Sequence, residues 1–270
     1  MEITKREILV SIIIFFLLIG LGLIIHNFII EKNILSIEKF NKALKIDNNA
    51  ELFNYSIDTE VGNILAYGTF TAIDKVSIKE LKNEYMYIEK VKQRYTRHSR
   101  QVCSTDSKGN TKCRTEYYYS WDDISSEDYT SKKIMFLGRK FNYSTFYGYS
   151  TYRLSLSNNV VDEYKNNVNG NYLYEEKPSF WGSSEGDIRY YYVVGNISFN
   201  GTIFAKCGNK NIIAEKGNKI EIHSSNLSET IENKKSKGTI ISVLYWIFWL
   251  ILTGFAIYGY MYLDNNYLED

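Results

Sequence analysis

Gly182-Ser183-Ser184-Glu185-Gly186 spells G-x-S-x-G, the string that holds a serine nucleophile on a sharp turn, and Asp187 and His223 follow it in acid-then-base order. That chemistry needs a strand before the serine and a helix after it. Here Ile188-Arg189-Tyr190-Tyr191-Tyr192-Val193-Val194 follows, a β-branched and aromatic run that reads as strand. Ser184 is therefore expected in a Gly/Ser loop between strands, with a membrane-bound serine hydrolase as the least favoured reading. Two thiols offer other chemistry. Ser107-Lys108-Gly109 is a hairpin turn, and pairing Asp106 with Asn110 sets Cys103 opposite Cys113. Opposed residues of an antiparallel pair are close enough for a disulfide in an oxidising space. A metal site on His98, Cys103 and Cys113 lacks a fourth ligand and the usual two-residue cysteine spacing. Cys207 is left over as a small buried residue. Carboxylate pairs Asp122-Asp123 and Glu127-Asp128 lie in a polar stretch and read as solvated.

A third chemistry is adhesion. Tyr117, Tyr118, Tyr119 and Trp121 cluster on the second strand of that hairpin. Amphipathic aromatic rings suit glycan or peptide contacts. Tyrosine is also a common strand residue that covers a sheet and keeps its hydroxyl wet. The expectation is no catalysis and no cofactor: there is no Walker A string, no dinucleotide glycine fingerprint and no H-E-x-x-H.

The elements that must position these residues begin with two apolar runs. Ile8 to Ile25 carries no charge, and its eighteen residues span roughly 27 Å, close to the hydrocarbon thickness. Phe28, Ile29 and Ile30 extend it. The run is too long for a cleaved signal core, and no small-x-small site follows it. Thr239 to Leu263 is also uncharged, with Trp246, Trp249, Tyr245, Tyr258, Tyr260 and Tyr262 suited to headgroup levels. Gly20, Gly22, Gly254, Ala256 and Gly259 offer close approach of the two spans. The expected division is a tail at 1–7, a first span at 8–30, a helical stalk at 31–50, a β-rich body at 51–225, a juxtamembrane helix at 226–238, a second span at 239–263 and an acidic tail at 264–270. The fold class expected is α+β, two membrane helices flanking a β-rich body with helical stalks.

Within that frame, residues 33–46 read as a helix, and alternation of Ile64, Ala66, Gly68 and Phe70 reads as strand. Tyr85 to Val102 reads as a long strand with a bulge in the middle. Residues 157–167 suit a short helix. Residues 188–199, 203–206, 212–215 and 220–223 suit strands separated by Asn196, Asn200-Gly201, Gly208-Asn209 and Gly217-Asn218. Leu227 to Lys237 suits a helix capped by Ser225 or Asn226.

With 32 Lys plus Arg against 31 Asp plus Glu, the 270-residue chain has a net charge of +1, and no basic field to hold nucleic acid. One proline and 17 glycines exclude collagen-like and proline-rich chains. Three cysteines exclude a disulfide scaffold. The side of the membrane is contested. Lys32, Lys39, Lys42, Lys45, Lys234, Lys235 and Lys237 flank the spans on the body side, against Lys5 and Arg6 on the other, while Asp264, Glu269 and Asp270 close the tail. A lysine count puts the body in the cytoplasm, but the count loses force for long segments.

The order of features resembles the transmembrane protein 43 (LUMA-like) family, known in animals and bacteria. The likeness rests on Gly62-Asn63-Ile64-Leu65-Ala66-Tyr67-Gly68; on Tyr85-Met86-Tyr87-Ile88-Glu89 with Tyr119-Ser120-Trp121 after the hairpin; on Arg153-Leu154-Ser155-Leu156-Ser157 running into Val160-Val161-Asp162; and on Pro178, then Gly186-Asp187-Ile188-Arg189. It covers roughly residues 35–262, with a single C-terminal span where the animal proteins have several. The resemblance implies an extracytoplasmic body with cytoplasmic termini, an envelope scaffold or interaction role, no established catalysis, and partners that are the bilayer and membrane proteins, with homo-oligomers open. It outweighs the lysine count when taken with the Cys103–Cys113 register. A surface receptor for glycan or peptide, or an exclusion factor, is the alternative. The Asn, Lys, Ile and Tyr richness suits an AT-rich bacterial or phage genome.

Overall fold

The structure, a computed structural model, describes residues 4–105, 107–177, 179 and 182–267. Asp106 of the hairpin turn, Pro178 of the family likeness, and Glu269 and Asp270 of the acidic tail lie outside the described residues.

Helix α1 (Lys5–Lys42) starts at a capping box, in which the Thr4 hydroxyl accepts from the Glu7 amide at 3.2 Å and the Glu7 carboxylate accepts from the Thr4 amide at 2.6 Å. It runs without a break through the apolar stretch and ends at Ala43. The expected helix over 33–46 stops early. Leu44–Asp47 is instead strand β1, because parallel pairing with strand β2 (Asn63–Ala72) buries Ile46 completely. Asn49 then caps a helix absent from the sequence reading, α2 (Ala50–Asp58), by accepting from the Leu52 amide at 2.9 Å. Phe53 and Ile57, one turn apart, are its buried stripe.

The remaining elements are β3 (Tyr87–Thr105), β4 (Thr111–Thr130), β5 (Lys133–Phe136), β6 (Arg139–Asn142), β7 (Phe146–Tyr147), β8 (Thr151–Arg153), β9 (Val168–Asn169), β10 (Tyr172–Tyr174), β11 (Ile188–Gly195), β12 (Ser198–Gly208), β13 (Asn211–Ile213), β14 (Ile220–His223) and helix α3 (Leu227–Tyr267). One sheet has the order β6-β5-β2-β12-β14-β7, with β1 beside β2 and β13 beside β12. The other has the order β4-β3-β11-β10-β9, with β8 beside β11. The body is thus β-rich, and the chain as a whole is α+β.

Each sheet buries one apolar face. Under the first, Ile46, Phe53, Ile64, Phe70, Phe136 and Ile203 pack together, with the Phe70 and Phe136 rings stacked at 4.2 Å. Under the second, Leu81, Ile88, Leu154, Leu156, Val160 and Tyr192 do the same. Three local expectations change. Asn200-Gly201 does not break a strand: Gly201 faces Gly68 in a ladder running from Ser198↔Thr71 to Lys206↔Asn63. A Cβ there would meet the Ile222 side chain at 2.7 Å, so the glycine serves packing rather than a turn. Residues 157–167 hold only a 3-10 turn at Asp162–Asn167, since Val160 is drawn into the core by a bridge to Leu81. The bulge lies in β4 rather than β3: the register slips between Lys92 and Gln93 and leaves Ile124 as the extra residue.

Helices α1 and α3 are each long and apolar enough to cross a membrane. Large side chains such as Phe16, Leu17, Phe248 and Phe255 stand exposed on them. The helices pack antiparallel. Trp249 Nε1 donates to the Leu18 carbonyl at 2.9 Å, Tyr245 donates to the Gly22 carbonyl at 2.7 Å, and Arg6 grips both Asp264 oxygens at 2.7 and 2.8 Å. Trp249 and Tyr245 therefore act as interhelical donors. Of Gly20, Gly22, Gly254 and Gly259, Gly22 alone lies against the partner helix. The pair joins the body where Phe40 stacks on Phe204 at 4.1 Å, beside Ala43, Leu65, Leu227 and Ile231.

Candidate functional site

Strands β3 and β4 pair from Tyr87↔Thr130 to Thr105↔Thr111, interrupted by the bulge at Ile124. Strand β11 covers the other edge of β3 only as far as Arg94, opposite Ile188. Beyond that point residues 96–105 and 111–120 form a two-stranded arm. Ten residues of strand reach roughly 33 Å at the usual rise. A lone two-stranded ribbon is marginal in water, so this arm needs fastening. At its far end Cys103 faces Cys113, their α-carbons 4.0 Å apart and their sulfurs bonded. The Thr105 and Thr111 hydroxyls meet at 3.0 Å just beyond.

The second fastening is a ladder of rings and guanidinium groups. The register puts Tyr95 opposite Trp121, Arg97 opposite Tyr119 and Ser99 opposite Tyr117, all on one face. Arg97 lies 4.3 Å over the Tyr117 ring. Tyr95 stacks on Tyr119 at 5.4 Å and meets Trp121 at 5.2 Å. Arg189 of β11 sits 4.0 Å over Trp121 and 3.5 Å over Tyr172. Arg153 of β8 sits 4.7 Å over Tyr172 and 4.0 Å over Tyr191. Cations over aromatic faces are attracted by the ring quadrupole. The ladder thus runs from the outer face of the six-stranded sheet onto the arm. Polar contacts hold it in register: Arg189 Nε donates to Gln93 at 2.7 Å, and Asp123 accepts from Gln93 at 2.7 Å and from Tyr191 at 3.1 Å. Among the described residues no carboxylate lies within ion-pair distance of Arg97, Arg153 or Arg189, so these guanidinium groups are held by the rings and by polar contacts.

Strand alternation divides the expected aromatic cluster. Tyr117, Tyr119 and Trp121 belong to the ladder face, and Tyr118 points the opposite way. There it stacks on His98 at 5.3 Å. The His98 Nε2 lies 2.7 Å from Asp122 Oδ2, and Ser120 donates to Asp122 at 2.9 Å. The Ser120 hydroxyl, and then His98, hold the Asp122 carboxyl below the usual carboxylate range. Glu116 is likewise held down, by Arg114 first and Arg100 second. One arm face is therefore an Arg–aromatic ladder, and the other is a charge-paired strip.

The residues of the family likeness scatter. Gly62 closes a turn whose carbonyl accepts from the Cys207 amide at 2.8 Å, and Gly68 lies inside β2. Glu89 lies in β3 opposite Val193 and Asp128. Gly186 and Asp187 shape the turn into β11, where the Gly186 amide donates to the Tyr95 carbonyl and the Tyr95 amide donates to the Asp187 carbonyl, each at 2.9 Å. Of these six positions Arg189 alone enters the ladder, where it joins Arg153, Tyr119 and Trp121 from the other segments of the likeness. Arg97, Tyr172 and Tyr191 complete it and carry no motif of their own. The two-residue spacing of Tyr95 and Arg97 with Tyr117, Tyr119 and Trp121 was readable, but the approach of β8 and β10 to β11 was not.

Ser184 sits in the turn before β11, and its backbone amide is capped by Asp187 Oδ2 at 2.7 Å. His223 lies in the other sheet, with Glu221 as its carboxylate neighbour at 3.9 Å. Among the described residues no three His, Cys, Asp or Glu side chains cluster as metal ligands. His98 is engaged with Asp122, and both cysteines of the arm are in the disulfide. Cys207 is buried, and burial pushes its thiol up to about 11. No family model, curated protein or solved structure matches the chain.

Proposed function

We propose that this chain is a non-catalytic, two-span membrane protein that displays its body outside the cytoplasm and binds a partner through the arm. The observation that carries the reading is the arm itself, a ribbon clamped by a disulfide and faced with an exposed Arg–aromatic ladder. Disulfides persist in oxidising compartments, which favours an extracytoplasmic body and cytoplasmic termini over the lysine count. Aromatic and arginine side chains are the anchors most enriched at interfaces. Two apolar helices flanking the body agree with membrane anchorage. This arrangement is the one the transmembrane protein 43 resemblance implies, and an envelope scaffold or interaction module is the role it supports.

Thiol labelling tests the placement. In a Cys207→Ser variant only Cys103 and Cys113 can react. A membrane-impermeant maleimide applied to intact cells labels them only after reduction on this reading. Labelling that requires lysis would put the body in the cytoplasm and overturn it.

A second reading uses the same face. Tyr117 and Tyr119 are 61% and 43% exposed, and rings so presented stack on sugar faces. A glycan or peptide receptor is then the role, and binding in a glycan array that is lost in Tyr119→Ala separates it from a protein scaffold.

A further inference from the structure

A cavity of about 620 Å³ opens where α3 enters its apolar stretch. Its walls are His223 and the Ser224-Ser225 turn from the body, Lys234 and Lys237 from α3, and Ile240 at the floor. A smaller cavity of about 180 Å³ shares Phe40, Glu221, His223 and Lys234 with it and adds Lys216 and Lys219. Four ammonium groups therefore surround this corner. Glu215, the second carboxylate there besides Glu221, is taken by Lys39 at 2.5 Å. Among the described residues no carboxylate lies within ion-pair distance of Lys216, Lys219, Lys234 or Lys237.

Position decides what would fill it. Ile240 is 54% exposed and is the first large apolar residue of the uncharged run of α3. Along the helix, Lys237 lies about 4.5 Å and Lys234 about 9 Å above it at the usual rise. The polar headgroup zone is roughly 5–8 Å deep on each side of a bilayer, so Lys237 falls within it and Lys234 at its outer edge while Ile240 meets acyl chain. Lys234 is held in place, with its ammonium 5.1 Å over the Phe40 ring. Hydroxyls of Ser225 and Thr230 line the same wall, but they hydrogen-bond each other at 2.7 Å.

We infer that this cavity is a site for the phosphate-bearing headgroup of an anionic lipid, held by Lys234 and Lys237 with its acyl chain leaving past Ile240. The inference rests on the two helices lying in a bilayer, but not on which side the body faces or on what the arm binds. His223 supplies an internal reporter. Its burial lowers its affinity for a proton most; Glu221 opposes this, and Lys234 and Lys237 add to the lowering. A phosphate between those lysines would raise it again.

The test uses the full-length protein in nanodiscs of phosphatidylcholine containing or lacking phosphatidylglycerol. Recovery of the protein in nanodiscs at all checks the insertion reading separately. Exchange into mild detergent followed by native mass spectrometry should show retained phosphatidylglycerol, at least five-fold reduced in Lys234→Gln/Lys237→Gln and unchanged in Lys42→Gln/Lys45→Gln, which removes equal charge elsewhere on the collar. Melting curves for both variants establish that they fold. The His223 titration should move upward in phosphatidylglycerol discs for the wild-type chain only. Equal retention in both double variants, equal retention of phosphatidylcholine, or full displacement of the lipid by millimolar inorganic phosphate would overturn the inference.

Discussion

Arg189 places its guanidinium 3.5 Å from the Tyr172 ring and 4.0 Å from the Trp121 ring, and so couples the arm to the sheet that carries it. Trp121 belongs to β4, Tyr172 to β10, and Arg189 to β11 between them in space. Arg189→Ala removes two cation–ring contacts and the hydrogen bond to Gln93. At a half-buried site such contacts are worth about 1 kcal/mol each. The expected result is a modest fall in melting temperature, with faster amide exchange at the base of the arm around Tyr95 and Trp121. Arg189→Lys should recover only part, because an ammonium cannot lie flat between two rings. Unchanged exchange in Arg189→Ala would mean that the ladder follows the arm rather than holding it.

The Cys103–Cys113 bond closes a loop of sequence separation 10. In the chain-entropy account a loop of that size stabilises by roughly 2–3 kcal/mol. Cys103→Ser should therefore lower the melting temperature, and reduction of the wild-type chain should lower it to the same value. Secondary structure of the body should persist, since both hydrophobic cores lie away from the arm. Partner or ligand capture through the ladder should weaken in step with arm order. A reduced wild type as stable as the oxidised one would show that the ribbon is fastened by its rings alone.

Much of this architecture is legible from local signals. The two apolar runs, the hairpin turn at Ser107-Lys108-Gly109 and the strand patterns of β2 and β3 follow from periodicity and turn chemistry. The misreadings share a physical cause. Leu44 continues the helical apolar pattern of Ile34, Ile37, Phe40 and Ala43, but sheet pairing over Leu44–Asp47 buries Ile46 and outweighs it. Gly201 has turn chemistry, yet it lies mid-strand because Ile222 needs the space. Tyr118 sits within a run of three tyrosines that looks like one surface, and only the strand pleat sends it to the His98 side. The ladder itself joins β3, β4, β8, β10 and β11, and no local pattern announces which distant strands will meet.

Gly22 lies where the helix pair leaves no room for a side chain. A Cβ on it would lie 2.3 Å from Trp249 Nε1, whose hydrogen bond to Leu18 fixes the indole in place. Gly22→Val should force the helices apart and lower stability by about 1–3 kcal/mol, the usual range for overpacking. Gly20 has nothing within 4 Å of its Cβ position, so Gly20→Val should be tolerated. Melting in detergent, followed by tryptophan fluorescence, measures both. Equal effects of the two substitutions would place the cost in helix propensity or lipid contact, not in the Trp249 contact.

Acid should loosen the arm before it loosens the body. Asp122 and Glu116 both have carboxyl groups held below their ordinary range in the folded chain, by Ser120 and His98 and by Arg114 and Arg100 respectively. A carboxyl lowered by folding binds fewer protons in the native state than in the unfolded one. Its contribution is complete above the unfolded value, near pH 4, and is lost as pH falls through the folded value. Arm order should therefore be flat from pH 8 to about 5 with respect to these two groups and decline below that. Asp122→Asn and Glu116→Gln together should flatten the acid limb. The measurement is the melting temperature of the oxidised protein across that range, with cross-strand contacts between His98 and Tyr118 followed by NMR. A decline that persists unchanged in the double variant would assign the acid sensitivity to other carboxylates, with Asp74, which follows β2 and accepts from the Lys132 and Lys133 amides at 2.6 and 2.8 Å, the first to examine.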